Sequence, residues 1–187
     1  RIMLAALRLF AKDGYEAVSV RAIAGHIGVS ATDLYRHFTN KREIFDGILR
    51  RLEADDRLQA RAFGLPECAF ADAPEAYRTV TPAALASFAL AMFRYWTEDR
   101  FASSFRKMLT LEQYRSQEAS ELYQQYFGNG VIGYLTDIFR AHKVRQPRAA
   151  ALRYYAPFFL LMNQDDAVPS DHAWRIALLK NHFREFT

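Results

Sequence analysis

Three residues, Gly28-Val29-Ser30, are all the chain has between two stretches that both read as helix. A connection that short forces the two helices to cross steeply, so the residues facing each other must be small or closely packed. Ser19 offers a cap to the first helix, Val20 to about Ile27, whose inward stripe is Ile23, Ala24 and Ile27. Gly28 is suited to end it, Val29 to plug the bend, and Ser30 to cap a second helix from Ala31 to about Phe38. Ala24 supplies the small contact. Leu34 and Phe38 turn inward, which leaves Ala31, Thr32, Tyr35, Arg36 and His37 outward. The pattern is a helix-turn-helix, and its second helix has the size to enter a DNA major groove.

The flanks complete a small bundle. Upstream, Ile2, Ala5, Ala6, Leu9 and Phe10 repeat at the spacing of one helix face, and Gly14 is placed to stop that helix. Downstream, Asn40 with Glu43 reads as a capping box that opens a fourth helix. Its apolar positions Ile44, Phe45, Ile48, Leu49 and Leu52 face back onto the bundle. Lys41 in the first turn of that helix opposes the helix dipole, and a phosphate nearby would account for it. Asp33 sits in the first turn of its own helix, where it complements the dipole. Turned toward a groove it would repel phosphate, or accept from a cytosine amino group.

Charge points the same way. Residues 1–51 hold nine Lys and Arg against five Asp and Glu, and the remainder holds sixteen of each, so the whole net charge of +4 lies in the first quarter. Nucleic acid is the partner that such an imbalance most often serves. At 187 residues and 51% hydrophobic, the chain is long enough for a sizeable core in one or two domains. Gly and Pro are sparse, at 8 and 6, and Ala and Leu outnumber Val and Ile, which favours helix over sheet. The longest apolar run, residues 83–93, contains Ser87 and stops at Arg94, short of the ~20 residues of a membrane span. No membrane partner is expected. The single cysteine, Cys68, has no internal partner, and a reducing cytoplasm is the expected setting.

The stretch AALRLFAKDGYEAVSVRAIAGHIGVSATDLYRHFTNKREIFDGIL resembles the N-terminal domain of TetR-family transcriptional regulators over about residues 2–52. LF-x(3)-G, SV-x-x-IA, GVS, LY-x-HF and K-x-x-I follow one another in the family's order and spacing. The resemblance implies that Arg21 holds a phosphate and that Tyr35, His37 and Lys41 clamp the DNA backbone. It places Ser30, Ala31 and Thr32 nearest the base edges. It also implies a homodimer on a palindrome of double-stranded operator DNA, and commonly a small-molecule effector bound in the C-terminal domain. Asp33 stands where the family more often has Thr, Ser or Ala, so base preference does not carry over from relatives.

Beyond residue 52 the chain reads as a connecting helix to about 63, a Gly/Pro-containing linker from Gly64 to Pro82, and then helices. Thr81-Pro82 caps and opens one that runs to about Glu98. Others are expected near Phe101 to Leu111, Gln117 to about His142, Pro147 to about Asn163, and Ser170 to Phe186. Gly128-Asn129-Gly130 should kink or break the long one, and Pro157 should bend the next. The expected fold is therefore all-α, of about nine helices. A three-helix helix-turn-helix domain occupies residues 1–52, and a helical ligand-binding and dimerisation domain occupies residues 64–187.

Phe88, Met92, Trp96, Phe105, Met108, Tyr123, Phe127 and Tyr134 are the candidate lining for a small apolar or aromatic effector, with plain core as the alternative for any of them. The stretch from Leu152 to Met162 is apolar nearly all round, and such a helix must be covered on every side. A second copy of the C-terminal hairpin would cover it, and Tyr155, Phe159, Leu160, Trp174 and Leu178 are the candidate interface. No HExxH, GxSxG, P-loop or GxGxxG pattern is present, and His172 and His182 have no third ligand at metal spacing. Neither catalysis, a metal nor a cofactor is expected. The reading is a dimeric repressor released by an effector. The alternatives are an activator, or a ligand-independent architectural or division-linked DNA-binding protein.

Overall fold

Three hydroxyl caps set where helices begin. Ser19 Oγ accepts from the Ala22 N–H at 3.1 Å, Ser30 Oγ from the Asp33 N–H at 3.0 Å, and Thr81 Oγ1 from the Ala84 N–H at 3.1 Å. Each such cap stabilises its helix by about 1 kcal/mol. A computed structural model describes residues 1–66, 76–166 and 169–186. Cys68 and much of the linker lie outside the described residues.

The helices, in chain order, are α1 (Ile2–Asp13), α2 (Val20–Ile27), α3 (Ala31–Tyr35), α4 (Lys41–Ala62), α5 (Pro82–Glu98), α6 (Arg100–Glu112), α7 (Gln117–Phe127), α8 (Asn129–Ala141), α9 (Pro147–Asp165) and α10 (His172–Arg184). Short 3-10 turns cover Ala76–Thr79 and Pro169–Asp171, and the described residues contain no strand. The all-helical expectation holds. The tenth helix appears because the Gly128–Gly130 stretch breaks the long segment outright, giving α7 and α8. A Cβ on Gly130 would run into the carbonyl oxygen of Gln125, so the restart depends on the missing side chain. Helix α3 is shorter than expected, ending at Tyr35. Its turn continues to Phe38 all the same, because the N–H groups of His37 and Phe38 both donate to the Leu34 carbonyl at 3.0 Å.

The helices gather into two compact units. The first comprises Arg1–Asp55 with Arg100–Tyr123, so α6 and the start of α7 join the helix-turn-helix. The sequence division follows chain order, whereas the units follow packing. Helix α1 packs against both α2 and α6. A helix covered on two sides needs a wide apolar face, and Leu7 is buried beside the expected Ala5, Ala6 and Phe10, while Ile2 and Leu9 are only half-buried. Phe10 is fully buried, and cutting it to Ala would cost about 3–5 kcal/mol.

The second unit comprises Asp56–Asp99 with Gln124–Thr187. Helix α9 is its axis, packed against α5, α8 and α10. Phe93, Ile138, Ala151, Leu161, Leu179 and Phe183 form its core. Where α5 and α9 end and α10 begins, His172 bridges two carboxylates: Nδ1 lies 2.8 Å from Asp165 and Nε2 lies 2.8 Å from Glu98. Its ring stacks on Phe93, and the buried Arg175 donates to the same Asp165 oxygen at 3.0 Å. Burial works to lower the imidazole pKa, but hydrogen bonds to Glu98 and Asp165 and their charges together outweigh it, and the pKa is raised. The contribution of the charged ring to stability is therefore full below its ordinary 6.5 and lost as pH rises through the raised value. We predict that His172→Gln removes about 1–3 kcal/mol of stability at pH 6 and progressively less as pH rises through the raised pKa, measured by denaturant titration across pH. A deficit that stays constant with pH would contradict this.

Candidate nucleic-acid interface

The site is built from the bend outward. Gly28 adopts the left-handed conformation, φ 73° and ψ 34°, and its N–H donates to the Gly25 carbonyl at 3.2 Å. The Val29 N–H then reaches back to the Ala24 carbonyl at 3.0 Å, closing the end of α2. Ser30 returns to extended backbone and caps α3. Its hydroxyl serves twice, accepting from the Asp33 N–H and donating to Asp33 Oδ2 at 2.6 Å. Asp33 is thus part of the cap, as a first-turn acid should be, and its other oxygen accepts from Arg36 Nη1 at 3.2 Å. Leu34 is buried and Phe38 half-buried beneath the helix.

Thr32, Tyr35 and His37 are exposed on α3 and the turn after it, and Tyr35 leaves 49% of its surface open. Ala31 is half-buried, and Ser30 is exposed but engaged in the cap. Arg21 is exposed in the first turn of α2, where a cation opposes the dipole, and makes no ion pair among the described residues. A phosphate at that helix terminus would supply the missing negative charge. Lys41 behaves differently. Its ammonium donates to the Tyr15 carbonyl at 2.7 Å and the Glu16 carbonyl at 3.2 Å, and sits 4.3 Å from the Tyr15 ring centre. The cation that looked misplaced at the start of α4 is a clasp on the chain between α1 and α2. Burial raises the Tyr15 phenol pKa, with Arg42 pulling the other way. The capping box at α4 forms one residue early on its return arm: Asn40 Oδ1 accepts from the Glu43 N–H, while Glu43 Oε2 accepts from the Thr39 N–H and hydroxyl.

The second unit holds a cavity of about 300 Å³. Helix α5 gives it Leu85, Phe88, Met92 and Trp96, and the end of α7 gives Gln125 and Tyr126. Val131, Tyr134 and Leu135 come from α8, Tyr154, Tyr155 and Phe158 from α9, and Tyr77 and Phe183 close it further. Asp56 and Arg57 from the end of α4 bring one charge of each sign. The Tyr154 hydroxyl is buried without a hydrogen-bond partner among the described residues, and burial raises its pKa. The Tyr155 hydroxyl donates to the Phe127 carbonyl at 3.2 Å. On the outside of the same unit, α9 and α10 expose Leu152, Leu160, Trp174 and Leu178, with Leu160 57% and Trp174 59% open and Phe159 half-buried.

Residues 2–48 match the model of the bacterial regulatory proteins of the tetR family. The head, over those residues, is a tetR-type domain. Solved structures extend the likeness along the whole chain. SmeT, the repressor of the Stenotrophomonas maltophilia multidrug efflux pump SmeDEF, is 17% identical with a TM-score of 0.62, over 97% of this chain and 86% of that one. SmeT has also been solved with triclosan. A transcriptional regulator from Rhodococcus sp. Rha1 is 19% identical, TM-score 0.64, over 99% and 94% of the two chains. NalD, the secondary repressor of MexAB-OprM in Pseudomonas aeruginosa, is 22% identical, TM-score 0.58, over 98% and 93%. At these identities the likeness speaks for the fold.

Of the residues singled out as effector lining, the second unit brings together Phe88, Met92, Trp96 and Tyr134. Phe127 stands behind them, its ring 4.8 Å from that of Trp96. Phe105 and Met108 are instead core residues of the first unit, on the buried face of α6, and Tyr123 also belongs to that unit. Tyr126, three residues further along α7, lines the cavity in place of Tyr123. Tyr155 is buried and turned into the cavity wall, so it leaves the interface group, while Leu160, Trp174 and Leu178 are open to a partner. Tyr77, Tyr154 and Phe183 were missed, because each lies on a different segment and only tertiary packing joins them.

The placements of Tyr35 and Lys41 predict opposite behaviour. Lys41→Ala should destabilise the chain by about 1–3 kcal/mol, because two carbonyls lose a charged donor. Tyr35→Ala should leave stability within about 0.5 kcal/mol and weaken binding to every DNA sequence alike. Thermal melts and DNA titrations of the two variants check this. A Lys41→Ala variant of unchanged stability would return that ammonium to the DNA.

Proposed function

We propose that this chain is a TetR-family regulator that binds a palindromic operator as a homodimer, represses transcription by occupying it, and is released when a small apolar or aromatic effector enters the cavity. The observation that carries the reading is the outward face of α3, held there by the Gly28 bend and the Ser30–Asp33 cap. One such helix reads only about four base pairs, too few to be selective, and two on a two-fold axis make their spacing part of the code. The pairing is supported by the exposure of large apolar side chains on both helices of the hairpin, Leu152 and Leu160 on α9 and Trp174 and Leu178 on α10.

The cavity supports the effector. A ligand-independent architectural protein would gain stability from a filled core, whereas about 300 Å³ lined by aromatic rings is at the lower end of small-molecule sites. The opposite charges of Asp56 and Arg57 favour a ligand of no net charge, and Tyr154 brings a hydroxyl still to be paired. SmeT with triclosan, and the repressor roles of SmeT and NalD, lean the same way. Release requires that the effector bind unequally to the two head spacings. A repressor of this kind acts in the cytoplasm, and no described helix is long and apolar enough to cross a membrane.

Trp174→Glu tests the dimer and the operator together. The unaltered protein should sediment as a dimer and shift DNA from its own upstream region, with affinity falling steeply as salt rises. The variant should sediment as a monomer and bind that DNA at least about tenfold more weakly. A variant that stays dimeric, or a monomer that binds as well, would count against the arrangement.

A further inference from the structure

Two residues stand directly opposite the buried side of α3. Residues on a helix advance by about 100° each, so the direction away from Leu34 and Phe38 runs between Thr32 and Arg36. Thr32 and Arg36 are one turn apart, joined by the Arg36 N–H to Thr32 carbonyl bond of 3.2 Å. The Arg36 side chain is 74% exposed. Tyr35 and Asp33 lie to either side of this line.

Arg36 is not left to wander. Its Nη1 donates to Asp33 Oδ1, while Asp33 Oδ2 is held by the Ser30 hydroxyl that caps the helix. A chain of bonds therefore runs from the backbone cap, through the carboxylate, to the guanidinium. In water an exposed pair of this kind contributes little to stability. Its effect is orientation, and it strengthens where a groove excludes water. The guanidinium has five N–H donors in a rigid fork, and the Asp33 contact takes only one of them. The arrangement also accounts for Asp33, whose charge is met by Arg36 on the same helix turn.

We propose that Arg36 reads a guanine in each half-site through O6 and N7, with Asp33 as the positioning residue that aims it. The proposal rests on the DNA-binding reading above. It adds a base-specific contact one turn beyond Thr32. Arginine bidentate to guanine discriminates against other bases by about 5- to 150-fold.

The test selects a consensus from random duplexes with the full chain, then measures affinities on every single-base variant at several salt concentrations. The unaltered protein is expected to prefer a G·C pair at one position of each half-site by at least about tenfold. Arg36→Ala should lose preference at that position alone, keep it elsewhere, and leave the slope of log affinity against log salt unchanged. Arg36→Lys should keep most of the affinity but not the guanine preference, since an ammonium lacks the fork. Asp33→Asn, which keeps one oxygen to accept from the Ser30 hydroxyl, should blunt the same position several-fold. An Arg36→Ala variant that weakens all sequences evenly and lowers the salt slope by about one would make Arg36 a phosphate contact and overturn the proposal, while leaving DNA binding intact. A variant identical to the unaltered protein would also overturn it. If the unaltered chain selects no sequence at all, the DNA-binding reading itself falls, and the proposal with it.

Discussion

The left-handed turn at Gly28 is the constraint on which the head depends. A residue with a Cβ would pay about 1–2 kcal/mol to hold that conformation, and glycine does not. Because Gly28 turns as it does, the Val29 N–H can close on Ala24 and Ser30 can return to extended backbone in time to cap α3. Leu34 and Phe38 then fix which side of α3 is inside. The outer side, with Thr32, Tyr35 and Arg36, is determined by elimination. Packing of the neighbours preserves this arrangement: Phe10 and Phe45 grip the Tyr15 ring, and Lys41 clasps the carbonyls beside it.

The second unit solves a different problem with one helix. Helix α9 is apolar on nearly every side and divides its surface between two tasks. Tyr154, Tyr155, Phe158, Leu161 and Met162 go inward, and the first three help to wall a cavity. Leu152, Ala156 and Leu160 stay outside, as do Trp174 and Leu178 of the adjoining α10. The His172 bridge pins the N-terminal end of α10 to α5 and α9. Under the proposed function the same hairpin would take a ligand on one side and a second copy on the other.

Local chemistry was legible in the sequence, and tertiary choice was not. Ser19, Ser30 and Thr81 cap helices where a hydroxyl precedes an apolar period, because a cap depends only on residues three positions away. The glycines around Asn129 broke α7 from α8 for an equally local reason. Phe105 and Met108 were misplaced because an apolar face looks the same whether it meets a cavity or a core. The use of α6 in the first unit could not be read from its sequence distance of about ninety residues from α1. The contacts of Lys41 were hidden in the same way: its partners, Tyr15 and Glu16, are supplied by another segment.

The central claim is that the outer face of α3 is where DNA sits. Hydroxyl-radical labelling of the protein, with and without a duplex that it binds, tests this residue by residue. The account predicts that Tyr35 and His37 lose most of their labelling when DNA is added, while Trp174 and Leu178 label as before. Equal labelling of Tyr35 and His37 in both states, with protection arising on any other helix, would contradict it.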